Sequence, residues 1–77
     1  QIWSVNMKNN ILSVVVKIME YSESGIPKLK EHKMFSSIKE GKQWGHERLS
    51  IGGNYATLQE GNIWWVRYPT DIYWKKV

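Results

Sequence analysis

The stretch Ser36-Ser37-Ile38-Lys39-Glu40-Gly41-Lys42-Gln43-Trp44-Gly45-His46-Glu47-Arg48-Leu49 decides the fold, because it is the one segment of the chain with helical periodicity. Ser37 and Glu40 stand at the S-x-x-E spacing of a capping box, which satisfies orphan amides in a helix's first turn. A helix is therefore expected over residues 38–49. At about 100° per residue, Ile38, Gly41, Gly45 and Leu49 fall in one stripe. Two glycines on an inward stripe let the helix backbone approach a sheet closely, whereas each otherwise costs about 0.8–1 kcal/mol against alanine. The competing reading breaks the segment into turns at Gly41 and Gly45.

The segments on either side read as strands. Upstream, residues 11–21 carry Val14, Val15, Val16 and Ile18, with Leu12, Val14, Val16 and Ile18 on one face. Ser13, Val15, Lys17, Met19 and Tyr21 form a more mixed face, the pattern of an antiparallel sheet covered on one side. The turn formers of residues 22–27 lead into residues 28–35, where Lys28, Lys30, His32 and Met34 alternate with Leu29, Glu31, Lys33 and Phe35. Lysines in such a strand suit a sheet edge. Residues 1–7 alternate Trp3, Val5 and Met7 against Ile2, Ser4 and Asn6 and predict a further strand, closed by the turn Lys8-Asn9-Asn10.

Downstream, Ser50-Ile51-Gly52-Gly53-Asn54 ends the helix. Residues 55–59 and 62–68 flank Glu60-Gly61 as a tight hairpin, with Ile63, Trp65 and Arg67 on one face and Trp64, Val66 and Tyr68 on the other. Pro69-Thr70-Asp71 interrupts the ladder, and residues 72–77 form a last short strand or a packed tail. The expectation is one α+β domain over residues 1–77. It has a small antiparallel sheet of about five strands with one helix on a face, in the order β-β-β-α-β-β.

Within this pattern, residues 14–49, a hairpin followed by MFSSIKEGKQWGHERL, resemble the three-stranded sheet plus helix of AP2-like and phage-integrase amino-terminal DNA-binding domains. The resemblance covers under half the chain and implies nucleic acid as a partner. That family finishes near its helix, whereas two aromatic-rich strands follow here, so no residue role is carried over.

Composition limits the chemistry. A chain this short buries only about 60% of the surface its unfolded form exposes. That leaves little room for a cleft of about 300 Å³ or more. With no Cys there is no disulfide and no Cys-ligated metal. Its bulk comes from aromatics, including 5 Trp. No phosphate-binding glycine loop is present, since Gly52-Gly53 lacks the remaining spacing. His32 and His46 are the only imidazoles, too few for a zinc site, and Asp71 is the only Asp available to orient a catalytic base. His46, Glu47, Arg48, His32 and Lys30 include the residue types of a small endoribonuclease, but neighbours on a helix point in different directions. A non-catalytic protein with no cofactor and no metal is expected.

The formal charge of +4 attracts polyanions modestly, and only Arg48 and Arg67 are arginines. The candidate phosphate contacts are Lys28, Lys30, Lys33, Lys39 and Lys42, or Arg67, Lys75 and Lys76. The candidate stacking or partner-binding residues are Trp64, Trp65, Tyr68 and Trp74. Adjacent Trp64 and Trp65 must face opposite sides of a strand, so one packs under the helix and the other lies open. Exposed rings flanked by cations are the minimal site for single-stranded nucleic acid. Nucleic-acid binding is the first expectation. A protein-binding accessory or inhibitor of the mobile-element or phage type, acting through an aromatic patch, is the alternative. A homo-oligomer and a monomer are equally compatible with the sequence. No membrane contact is expected, because the longest apolar run, residues 11–16, is interrupted by Ser13 and closed by Lys17. A cytoplasmic location is expected, with a removed leader left open by the Gln at position 1.

Overall fold

The computed structural model describes residues 11–77, so the strand and turn expected over residues 1–10, Trp3 among them, lie outside the described residues. Five strands and one helix follow: β1 (Val14–Tyr21), β2 (Pro27–Phe35), α1 (Ile38–Ile51), β3 (Tyr55–Glu60), β4 (Ile63–Arg67) and β5 (Lys75–Lys76). The α+β class and the antiparallel sheet with one helix on a face are as the sequence predicts. The order among the described residues is β-β-α-β-β-β: two strands precede the helix, and residues 72–77 contribute a short strand at the end.

All neighbouring strands are antiparallel, in the spatial order β2-β1-β3-β4-β5. β2 and β3 both flank β1 and run parallel to one another, so α1 carries the chain across the sheet from one side of β1 to the other. The helix packs chiefly on β1 and β3. Val14, Val16 and Ile18 from β1, Ala56 and Leu58 from β3 and Leu49 from α1 form the buried core. Burial alternates along β1 and β3 because successive side chains leave a strand on opposite faces.

The glycine stripe explains how closely helix and sheet approach. Gly41, Gly45 and Leu49 are the buried helical residues. A Cβ at Gly41 would stand 3.0 Å from Val16 and 3.1 Å from Leu58 and Val14. At Gly45 it would stand 2.8 Å from the Trp74 indole and 3.0 Å from Val16. The segment is thus one continuous helix, and the glycines are contact points rather than breaks.

Ser37 caps α1: its hydroxyl oxygen accepts from the Glu40 amide (3.2 Å), and the same hydroxyl donates to Glu40 Oε1 (3.0 Å). The Glu40 carboxylate thereby closes the box on hydroxyls, with Ser36 Oγ also donating to it at 3.4 Å. Ser37→Ala is expected to cost about 1 kcal/mol, lowering Tm by roughly 4–8 °C in thermal unfolding followed by circular dichroism. An unchanged Tm would show that water replaces the cap. The β3–β4 hairpin turns at Gly61-Asn62. Of these two residues Gly61 alone has a positive φ, at 59°. That is the sign pattern of a type II′ turn, which suits the twist of the flanking strands.

Candidate functional site

The face of the sheet opposite α1, which no helix or strand among the described residues covers, is built by the alternate residues of every strand, in three cross-strand rows. The first holds Met34, Val15, Gln59 and Trp64; the second holds His32, Lys17, Thr57, Val66 and Lys75; the third holds Leu29, Met19 and Tyr55. Two more tyrosines close the third row. The Tyr21 and Tyr68 rings each pack 5.8 Å from Tyr55, tilted by 45° and 40°. Burial first, and then the two neighbouring phenols, push the Tyr55 hydroxyl pKa above its usual value. Trp64 remains 38% exposed, Tyr68 45% and Tyr21 47%, so the rings that shape this surface still present area to solvent.

Charge is segregated between the faces. The carboxylates of the described strands, Glu20, Glu31 and Glu60, sit in register with the helix-side row of β1 or its partners. Lys17 and His32 therefore lie side by side on the open face, and among the described residues neither has an ion-pair partner. Lys75, opposite Val66, reaches Asp71 at 3.5 Å. The Tyr68 amide donates to Asp71 Oδ2 at 2.9 Å. That bond, with Lys75 and Arg67 nearby, holds the Asp71 carboxyl below the usual carboxylate range.

Of the residues singled out in the sequence, Trp64, Tyr68 and Lys75 meet on this open face. Trp65 packs instead against the core under the helix, as one of an adjacent pair must. Trp74 also lies on the helix side, against Gly45. Lys76 stands opposite Trp65, and Arg67, opposite Ala56, donates from Nη2 to the Asp71 carbonyl at 2.8 Å.

The lysine-rich strand is rearranged by a β-bulge. The register shifts between Ile18 and Met19, which oppose Glu31 and Leu29, so Lys30 is the extra residue. A bulge puts two successive side chains where one is expected. As a result Lys28, Lys30 and His32 do not share a face. His32 joins the open face opposite Lys17, while Lys28 stands opposite Glu20, 3.8 Å from its carboxylate. Lys30 turns towards the end of α1, its Nζ 2.5 Å from where a Cβ at Gly52 would stand. A cation there complements the helix dipole. Lys33 lies 5.6 Å from the Phe35 ring centroid and Lys42 5.1 Å from that of Trp65. Both are in cation–π range. Lys39 is exposed in the first turn of α1. The five lysines thus surround the helix side instead of forming one track.

The residue types suited to a ribonuclease are also separated. His32 is on the open face, His46 is exposed on the helix, and Arg48 Nε donates to both oxygens of Glu31 at 3.1 and 3.2 Å. No group of three potential metal ligands occurs among the described residues. No helix there is long and apolar enough to cross a membrane.

Lys17, Tyr21 and Tyr55 are absent from the candidates drawn from the sequence, as is His32 in its pairing with Lys17. The available signal was the mixed face Val15, Lys17, Met19 and Tyr21 in the first long strand, together with Tyr55, Thr57 and Gln59. Those residues become a site only once β1 and β3 are known to pair. No protein-family model, curated protein or solved structure matches the chain.

Proposed function

We propose that the protein is a non-catalytic nucleic-acid-binding module whose contact surface is the open face of the sheet. The observation that supports this reading is the charge segregation. This face carries Trp64, Tyr21, Tyr55 and Tyr68 together with Lys17, His32 and Lys75; among the described residues its strands place no carboxylate on it, and the loop carboxylate of Asp71 reaches Lys75 at 3.5 Å. Cations on such a surface release counterions from phosphates, and aromatic rings meet bases. Lys28, Lys33 and Lys42, like Lys75, already have a carboxylate or a ring as neighbour, so Lys17 is the cation that this face offers with neither among the described residues.

The test is a Trp fluorescence titration with mixed-sequence DNA and RNA at two salt concentrations, with light scattering on the same sample. Affinity is expected to fall steeply with salt, and Trp64 fluorescence to be quenched. Lys17→Ala is expected to weaken binding across all sequences and to reduce the slope of log affinity against log salt by about one. Salt-insensitive binding, or a slope unchanged in Lys17→Ala, would refute the reading. Leu29 and Met34, at 48% and 45% exposure, add apolar area to the same face. A flat titration with scattering at twice the monomer mass, falling to the monomer mass in Leu29→Ser, would therefore assign the face to a second copy of the chain.

A further inference from the structure

We infer that the ligand of this face is an unpaired strand lying along β4, with bases stacked at two stations, Trp64 near one end and Tyr68 at the other, and phosphates over the row of Lys17 and Lys75 between them. The inference rests on the nucleic-acid reading of the same surface and adds the ligand's class and path. Trp64 and Tyr68 flank Val66, which belongs to the row of His32, Lys17 and Lys75. The two stations are four residues apart on one face, which is about 14 Å along a strand.

The geometry selects against a duplex. In paired, stacked DNA or RNA each base face is covered by its neighbours, and only edges are offered in the grooves. Flat rings such as Trp64 and Tyr68 have nothing to stack on there. The face is also poor in groups that read base edges. The described strands place no arginine or asparagine on it, and the Gln59 Nε2 is engaged with the Gly61 carbonyl at 3.0 Å. The other uncharged groups of these rows that could reach a base edge are the Thr57 hydroxyl, the Trp64 indole N–H, the His32 imidazole and the tyrosine hydroxyls, which lie scattered over four strands. Recognition is consequently tolerant of sequence and dependent on the base being present and free. The Tyr55 ring, wedged between Tyr21 and Tyr68, fixes the second station, because a packed neighbour on one edge limits how far the Tyr68 ring can turn away.

The experiment measures fluorescence anisotropy of labelled oligothymidylate of about eight nucleotides against the full chain. The same strand paired with its complement and an abasic strand of equal length serve as comparisons. The single strand is expected to bind about tenfold or more tightly than either comparison. Trp64→Ala and Tyr68→Ala are each expected to remove about tenfold, with Trp64→Phe restoring most of the loss because it keeps a stacking ring. Affinity should rise with oligonucleotide length until both stations are occupied and then level off, and Tyr68→Ala should abolish that rise. Equal binding of duplex or abasic strand would overturn the two-station inference while leaving the polyanion reading standing. Absence of binding to all three would overturn both. Near-ultraviolet circular dichroism of each variant confirms that its fold is intact.

Discussion

Gly53→Ala is expected to lose about 3 kcal/mol or more of stability, a very large effect for a single methyl group. Two independent costs combine. Gly53 holds a φ of 117°, a conformation that residues with a Cβ rarely adopt. A Cβ there would also stand 2.6 Å from Ile18 Cγ2. Ile18 is fully buried and β-branched, so it has little freedom to move aside. A domain of this length has a total stability on the order of 4–12 kcal/mol, so the one substitution removes a large share of it. Chemical denaturation should show a lower midpoint at unchanged slope, and thermal unfolding a Tm reduced by more than roughly 12 °C. A Tm within a few degrees of the parent would show that the helix–β3 connection re-forms differently.

Gly45→Ala sets two opposing terms against each other. Alanine raises helix propensity by about 0.8–1 kcal/mol. Its methyl, however, meets the Trp74 indole at 2.8 Å and Val16 Cγ1 at 3.0 Å. Overpacking of this kind costs about 1–3 kcal/mol. The expected net result is a loss of up to about 2 kcal/mol with displacement of Trp74, whose emission should shift to the red as it meets water. Trp74→Leu in the same background should recover part of the loss, since the shorter side chain vacates the contact. A double-mutant cycle with no coupling between positions 45 and 74 would refute this account. In contrast, Gly41 faces Val14, Val16 and Leu58, all fully buried, which are less free to move aside than the half-buried Trp74 indole.

Local pattern made much of the fold readable. The stripe Ile38, Gly41, Gly45, Leu49 marked the inward side of the helix, and the opposition of Trp64 and Trp65 put one ring under the helix and one on the open face. The Ser37-Glu40 spacing placed the start of α1. These features depend only on residues within a few positions of one another. The candidate site was less legible because its parts come from different strands. Lys17 and Tyr55 lie far apart in the chain and become neighbours through the β1–β3 pairing. The bulge at Lys30 was hidden for a related reason. An unpaired residue in one strand is defined by its partner strand, and an alternation counted along residues 28–35 alone carries no trace of it. Alternation counted along the chain grouped His32 with Lys28 and Lys30, whereas the shifted register sends His32 to the open face and the two lysines to the helix side.

The central position of β1 also bears on how the chain reaches this structure. Its two neighbours are β2, joined to it by a short loop, and β3, which pairs Val14 with Glu60 across most of the described chain. The β1–β2 and β3–β4 hairpins can each form locally, on the order of 1–10 μs. Their union requires closure of a long loop whose entropy must be offset before any non-local contact forms. The Gly41 surface touches Val14 and Val16 from one hairpin and Leu58 from the other. The helix finds its full seat only when both hairpins are present, so joining the two halves of the sheet and docking the helix form one cooperative step. That step, rather than the growth of either hairpin, is expected to limit the rate of folding, so Gly41→Ala should slow refolding in stopped-flow measurements.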